Sequence, residues 1–433
     1  MIKLGCNESL PDGWKWYKAQ ECMDVRDGTH DSPKYFDEGY PLVTSKNLVN
    51  GKIDFSTCTY ISKEDHFAIS KRSAVDEGDI LYAMIGTIGN PVIVEKTQEF
   101  SIKNVALFKF NNENVFKGKT VLITGHTGFK GSWLSYILDK NKSIVKGYSL
   151  SPNTSPSLFS QLKFSDQFSS VIADINDFEK LKQEIVSFNP DIIFHLAAQS
   201  SVPLSLTNFY KSSTNNIESS LKVFEFSKQF SAPVVYASSS AIYGNLPLGN
   251  DQKEKFSITS PYAQDKLTVE HYAKMAFEIF NTSSVGLRLF NVYGPGQKSN
   301  SSYSAVIPIF INRMLKKLPV IINGGFQTRD FIYVQDVIDV ILISMNKLQK
   351  QKNFQIFNLG TGRSVKINFL FKLIKRNIGV NPKIIRRQLD KFDLKKSSGT
   401  YKKIFKYLNL KKNNFTKLEN GLIETIDSMK YGN

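Results

Sequence analysis

The fourteen residues "VLITGHTGFKGSWL", starting at Val121, restrict the fold of this chain more than any other stretch. An apolar, β-prone run ends at Gly125, and two more glycines follow at three-residue spacing, Gly128 and Gly131. The first glycine permits a tight turn and the second lets the backbone approach a pyrophosphate. The third lets a helix pack closely on the strand. The stretch therefore predicts a buried strand, a turn and a helix from Phe129 whose N-terminus holds phosphate. Gly125, Thr127, Gly128, Phe129 and Gly131 are its candidate cofactor contacts. A turn of this kind also serves purely structural roles, so the rest of the chain has to decide.

The unit arrives late, after about a quarter of the 433 residues. Before it, short β-like runs ("YPLVTS", "NPVIVE", "NVALFKF") alternate with turn signals ("RDGTHDSP", "VNGK", "DEGD"), which predicts a β-rich module with weak helical periodicity. After it, strand and helix patterns alternate: "SIVKGYS", "DFEKLKQEIVSF", "DIIFHLA", "PVVYASS". That grammar predicts an α/β fold, a doubly wound parallel (Rossmann-like) sheet with helices on both faces. The polar run "FNNEN" sets the boundary, so residues 1–114 form one domain and 115–433 the other. Within the second, the nucleotide-binding core spans mainly 117–290 and a smaller substrate-binding part mainly 291–433.

Charge separates the same two segments. Residues 1–114 hold 13 Lys and Arg against 17 Asp and Glu, whereas the remaining residues are net +21. The basic excess peaks in 342–433 and reads as a lysine-rich solvated surface that also favours an anionic substrate such as a nucleotide diphosphate. Cys6, Cys22 and Cys58 lack metal-ligand spacing and read as reduced structural thiols, and no histidine pair suits a metal. No run reaches the length of a membrane span and the start lacks a secretory h-region, so a cytoplasmic protein with no membrane partner is expected.

Two further motifs bear on chemistry. In "SPYAQDK", Tyr262 and Lys266 are four residues apart on one helical face. A nearby ammonium favours the phenolate, which would draw the tyrosine toward deprotonation near working pH. In "YASSSAIYG", a strand ends in a serine cluster 22 residues earlier, where doubly wound folds bind ligands. Ser240 is the candidate hydroxyl to share a substrate oxygen with Tyr262.

Glycine turn, serine and Tyr-x-x-x-Lys in this order resemble an extended short-chain dehydrogenase/reductase of the nucleotide-sugar epimerase/dehydratase group, over residues 117–430. The resemblance implies Ser240, Tyr262 and Lys266 as catalytic residues and NAD as cofactor. It adds Asp174 and Ile175 near the adenine, Ala197 along the cofactor channel and Asn216 bracing the site. It also implies Asn291, Arg329 and Arg387 as contacts to a nucleotide-diphosphate sugar, with Arg387 the looser match. NADP stays open, because "VKGYSLSP" offers Ser149 and Ser151 rather than an acid after the second strand, and Lys130 suits a 2′-phosphate. A homodimer through helices near 206–229 and 262–280 is a further implication.

The front of this domain, through "GYSLSPNTSPSLF", is similar to CDP-glucose 4,6-dehydratases, and the part from Ser219 onward to UDP-hexose 4-epimerases. Dehydratases of this family place an acidic pair directly after the catalytic hydroxyl residue. Counted from Ser240, those positions are Ala241 and Ile242, which favours epimerisation. Residues 1–114 resemble the target-recognition domain of type I restriction–modification specificity subunits, which implies DNA and a type I methyltransferase subunit as partners. The long docking helices and second recognition domain of such subunits are missing from the sequence, and the net −4 opposes strong independent DNA affinity. The expectation is a fused, incomplete recognition domain ahead of an enzyme.

Overall fold

The computed structural model describes residues 24–30, 32–84, 89–95, 98–109, 115–299, 305–390, 393–410 and 415–431. Cys6, Cys22 and the boundary run 110–114 lie outside them. The chain divides into two compact units, Met1–Asn114 and Val115–Asn433.

In the first unit, an antiparallel sheet runs Asp24–Asp27, Val105–Lys109, Ile80–Ala83, Gly89–Ile93. A second sheet pairs Tyr40–Val43 with Thr59–Ile61 and Ser101–Ile102. Val43, Leu48, Leu81, Val92, Ile102 and Leu107 close a core of their own. Weak periodicity hid one element, the helix Lys63–Ser73. Its polar sequence buries only His66 and Ser73, and it is held by its cap, the Ser62 hydroxyl accepting the Asp65 N–H at 3.1 Å.

The second unit opens with β1 (Thr120–Thr124), α1 (Phe129–Lys140) and β2 (Ile144–Ser149). It continues with β3 (Phe168–Ile172), α2 (Phe178–Phe188), β4 (Ile192–His195), α3 (Ser219–Phe230) and β5 (Val234–Ser239). Then come α4 (Pro261–Phe280), β6 (Ser284–Leu289) and β7 (Asn291–Tyr293). Farther along come α5 (Val306–Leu315), β8 (Val320–Asn323), β9 (Thr328–Tyr333), α6 (Val334–Lys350), β10 (Phe354–Leu359), β11 (Ser364–Lys366), α7 (Ile367–Ile378), β12 (Ile384–Arg387), α8 (Lys402–Leu408) and α9 (Leu418–Tyr431). Seven parallel strands form one sheet in the order β3-β2-β1-β4-β5-β6-β10.

Strand alternation explains why helices cover both faces. Val121 and Ile123 of β1 enter one core with Leu134 and Leu138 of α1 and Val337 and Ile341 of α6. Leu122, between them, enters the other with Leu181 of α2, Val223 of α3 and Val269 of α4. A strand buried on both faces reads as a continuous apolar run, which is what "VLI" is. The strand order reverses between β1 and β4, and doubly wound sheets open their ligand crevice at such a point.

A third core, with Ile307 and Ile311 of α5, Val320 of β8, and Leu370 and Ile374 of α7, lies in the C-terminal part. It carries two small sheets, β7-β9-β11 and β8-β12. The chain does not divide cleanly at residue 291, because α6 and β10 return to the main core and sheet. Among the described residues no helix is long and apolar enough to cross a membrane.

Candidate active site

The glycine turn is shaped by close approach of backbone to backbone. Gly125 has φ +79°, and a Cβ there would stand 2.7 Å from the Ala197 nitrogen. A Cβ on Gly131 would stand 2.1 Å from the Gly125 carbonyl oxygen, so α1 could not seat against the turn. Gly128 is the N-cap of α1 and has no side chain to cap the first-turn N–H groups, which an anion would satisfy.

These residues open on a cavity of about 430 Å³ beyond the C-terminal ends of β1, β2 and β4, a size that suits a small-molecule cofactor. Gly125, Thr127, Gly128, Phe129, Gly131, Asp174, Ile175 and Ala197 all line it. Lys130, Ser149, Gln199 and Asn215 line it too. The Thr127 hydroxyl lies 2.8 Å from that of Ser149 and donates to the Leu150 carbonyl at 2.9 Å, which pins the turn to the end of β2. Asp174 accepts the Asn176 N–H at 2.9 Å. The glycine cradle, the uncapped helix end and the cavity together fit a dinucleotide.

Asn216 lies behind the wall rather than in it. It is buried in a π-helical turn, Thr214–Glu218, of the kind that recurs at functional sites. Its amide accepts the Gln199 N–H at 2.8 Å and donates to the Gln199 carbonyl at 3.0 Å and to Asp265 at 3.0 Å. Asp265 is itself buried and takes hydroxyl donors from Ser212 and Ser213 at 2.7 and 2.8 Å. Sequence reading passed over this carboxylate, although it stands directly before Lys266.

Helix α4 starts where "SPY" says it should. Ser260 caps it by accepting the Ala263 N–H at 3.2 Å, and Pro261 takes the first helical position. Tyr262 and Lys266 are therefore fixed one turn apart, both buried. Ser239 is hydrogen-bonded to Tyr262. β5 ends at Ser239, whose Oγ also accepts the Ala241 N–H at 3.1 Å. Ser240 already belongs to the 3-10 turn Ser240–Tyr243. Ser239 and Ser240 thus stand side by side as candidate hydroxyls at the end of β5.

The electrostatics also differ from expectation. Burial pushes the Tyr262 phenol up, partly offset by the Ser239 hydrogen bond, with Asp265 adding to the rise. Desolvation outweighs any help the adjacent ammonium gives the phenolate. Lys266 is pushed down to about 8, first by burial and then by the charge of Lys130, while Asp265 and Glu270 oppose the shift. Its Nζ donates to the Ala237 carbonyl at 2.8 Å.

Behind this group lies a buried polar network. Arg288 of β6 makes a two-pronged pair with Glu270 of α4, at 2.9 and 2.7 Å. Ser238 donates to Glu270 at 2.5 Å, and Arg288 also donates to the Tyr243 hydroxyl at 2.6 Å. The Tyr243 hydroxyl donates in turn to Asn358 of β10 at 2.7 Å.

The candidate substrate contacts lie in the C-terminal part and outside the cavity wall. Asn291 is the half-buried first residue of β7. Arg329 on β9 is ion-paired to Asp393 and donates to the Thr328 carbonyl at 2.8 Å. Arg387 is the exposed last residue of β12, in register with Asn323. Asp393 follows it in sequence, so one segment connects the two arginines.

The model of the NAD dependent epimerase/dehydratase family matches residues 121–360. The CDP-glucose 4,6-dehydratase of Salmonella typhimurium is 34% identical over 251 residues, covering 55% of this chain and 69% of that protein. A UDP-glucuronate 4-epimerase of Thermodesulfobacterium geofontis is 29% identical, covering 71% and 95%. Among solved structures, the UDP-N-acetylglucosamine 4-epimerase of Methanobrevibacter ruminantium, in complex with UDP-N-acetylmuramic acid, superposes with a TM-score of 0.65. It is 31% identical and covers 73% of this chain and 100% of its own.

A pH prediction follows from His195, buried between the hydroxyls of Thr124 and Ser220 at 2.8 and 2.9 Å. Burial, then the Lys266 charge, pushes it down to about 3. The unfolded chain, near 6.5, binds more protons in that window, so stability present above pH 6.5 is lost as pH falls toward 3. Between pH 7 and 4.5 this residue accounts for a loss of about 2–3 kcal/mol. Urea unfolding of wild type and His195→Gln at both pH values measures it: the variant should show the flatter dependence, and equal slopes would refute the assignment.

Proposed function

The chain belongs to the NAD dependent epimerase/dehydratase family, and on that premise we propose that it is an NAD-dependent 4-epimerase of UDP-hexose type. The observation that carries this reading is Ser239 bonded to Tyr262, one helical turn from Lys266, with no acid directly after the serine. Gly125, Gly128 and Gly131 would cradle the pyrophosphate of NAD, with Asp174 and Ile175 toward the adenosine and Ala197 along the channel. When bound, NAD supplies a cationic ring that takes up a hydride, becomes neutral, and gives the hydride back.

The residues of the chain divide the remaining work. Tyr262 takes the proton of the sugar C4 hydroxyl as the C4 hydrogen leaves as hydride, which converts the alcohol to a ketone. Ser239 holds the same oxygen by a hydrogen bond. Protonated Lys266 lowers the cost of the phenolate. After the keto sugar turns over, the hydride returns to its other face and Tyr262 gives the proton back, so no net oxidation occurs. Asn291, Arg329 and Arg387 are the proposed contacts to the nucleotide diphosphate, where planar guanidinium groups suit phosphate oxygens. Arg329 would exchange Asp393 for that anion.

The competing reading is a CDP-glucose 4,6-dehydratase, favoured by the 34% identity to the Salmonella enzyme. It requires an acidic pair after the catalytic hydroxyl. With Ser239 in that role the two positions become Ser240 and Ala241, and neither is an acid. Counted from either Ser239 or Ser240, the acidic pair is missing, and this favours the epimerase reading.

We also read the protein as a homodimer. Phe209, Tyr210 and Ile279, on the helices Phe209–Ser213 and α4, are 68%, 76% and 65% exposed, large apolar side chains on the two helices expected to pair. For the first unit we keep the reading of an incomplete recognition domain. Its separate core explains how it could be joined ahead of an enzyme without being part of the enzyme's own core.

Incubation with UDP-glucose, UDP-N-acetylglucosamine and CDP-glucose should give C4-inverted sugars, and a 4-keto-6-deoxy product would overturn the epimerase reading. Ser239→Ala and Tyr262→Phe should each lower kcat by about 10²–10⁴-fold, with Ser240→Ala within a few fold of wild type. The reverse order of the two serines would restore Ser240. Light scattering should return twice the chain mass, and a monomer would remove the dimer. In gel shifts on random duplex, with and without a type I methyltransferase subunit, no binding is expected, and a retarded band would make the first unit a working DNA module.

A further inference from the structure

Asp265 stands between Tyr262 and Lys266 on α4 and is 1% exposed. A carboxylate has no proton to give, so every hydrogen bond it takes fixes the direction of its partner. Three neutral donors reach it. Ser212 and Asn216 donate to Oδ2 at 2.7 and 3.0 Å, and Ser213 donates to Oδ1 at 2.8 Å. The two serines end the helix Phe209–Ser213, and Asn216 lies in the π-helical turn Thr214–Glu218 that follows it. The carboxylate thus fastens this stretch to α4 at three points. Asn216 passes the constraint on. Its Oδ1 accepts the Gln199 N–H at 2.8 Å and its Nδ2 donates to the Gln199 carbonyl at 3.0 Å, so one amide grips both main-chain groups of one residue. Its Nδ2 group serves Gln199 and Asp265 together, and that leaves the amide a single orientation. Gln199 belongs to the segment that leaves β4 after His195, and Ala197, Ala198, Gln199 and Ser200 of that segment line the cavity. The Gln199 side chain accepts the Ser201 N–H at 2.7 Å and donates to the Ser201 carbonyl at 3.1 Å, which shapes the segment locally. A tie from the segment to α4 runs through Asn216 and Asp265.

We infer that Asp265 is a positioning residue for the cofactor: through the Asn216 amide it holds the Gln199 main chain in place against the helix that carries Tyr262 and Lys266. The inference rests on the NAD reading and adds the group that sets the cavity wall before the cofactor arrives. A wall already in its bound conformation needs no ordering when the ligand enters. Loss of the tie therefore weakens binding without removing any contact to the ligand. The rival role for a carboxylate at this place is a charge that keeps Lys266 protonated. The two roles part at one substitution. Asparagine keeps an acceptor for the Asn216 amide but lacks the charge, whereas alanine lacks both.

The test is equilibrium binding of NAD to full-length protein freed of nucleotide, with hydrogen exchange read by mass spectrometry on the same samples. D265A and D265S should bind NAD about tenfold more weakly than wild type, and D265N should recover most of that loss. In the empty protein, peptides containing Gln199 should exchange faster in D265A and D265S than in wild type or D265N. In an N216A background D265A should cost little further affinity, because the path it acts through is already cut. Two shortened side chains guard against one that fails to fold. D265N as weak as D265A makes charge the working property and overturns the inference. So do losses that add in the double variant, or weaker binding without faster exchange at Gln199. Wild type that binds NAD, with D265A and D265S binding as tightly, overturns the inference and leaves the NAD reading standing. Wild type that binds no NAD removes that reading and this inference with it.

Discussion

The buried pair of Glu270 and Arg288 is the interaction on which the site's geometry depends. The side chains are 1% and 6% exposed, so both ions have lost almost all their hydration. That loss is tolerated because three donors reach Glu270 and the guanidinium has a third partner in Tyr243. The network's members come from the end of β5, the turn after it, α4, β6 and β10. Ser239 sits between two of them, Ser238 and Tyr243, and Tyr262 and Lys266 precede Glu270 on the same face of α4. The hydroxyl and the tyrosine are thereby held against each other by elements that meet in the network. A well-packed apolar substitute could match its stability but would supply no such directional tie.

Burial also sets the electrical character of the pocket. It raises the Tyr262 phenol, lowers Lys266 and keeps His195 neutral. Each shift disfavours charge, the common signature of a site from which water is excluded. Asp265 and Glu270 oppose that shift at Lys266 and favour its charged form.

Much of this was legible in the sequence. The glycine spacing, the apolar run before it and the Tyr-x-x-x-Lys pair are local signals, set by backbone sterics and helix periodicity, and they placed β1, α1 and the face of α4. The serine cluster was legible as a place, and the structure adds a hydrogen bond from Ser239 to Tyr262. Three consecutive serines are chemically identical, and the difference between Ser239 and Ser240 is where β5 stops and the 3-10 turn begins. The helix Lys63–Ser73 was missed because a capped polar helix leaves little apolar periodicity. The net rise of the Tyr262 phenol was not legible, because spacing reports that two groups are neighbours and says nothing of how deeply they are buried.

The sequence by itself determined the fold class of the second unit and the kind of cofactor, because these depend on pattern and on residues whose backbone freedom is their function. Only the tertiary structure decided that Ser239 is bonded to Tyr262 and that Asn216 and Asp265 brace the wall behind the cavity. Those facts depend on contacts between elements far apart in the chain. Desolvation and hydrogen-bond supply there outweigh any property of the residues taken one at a time.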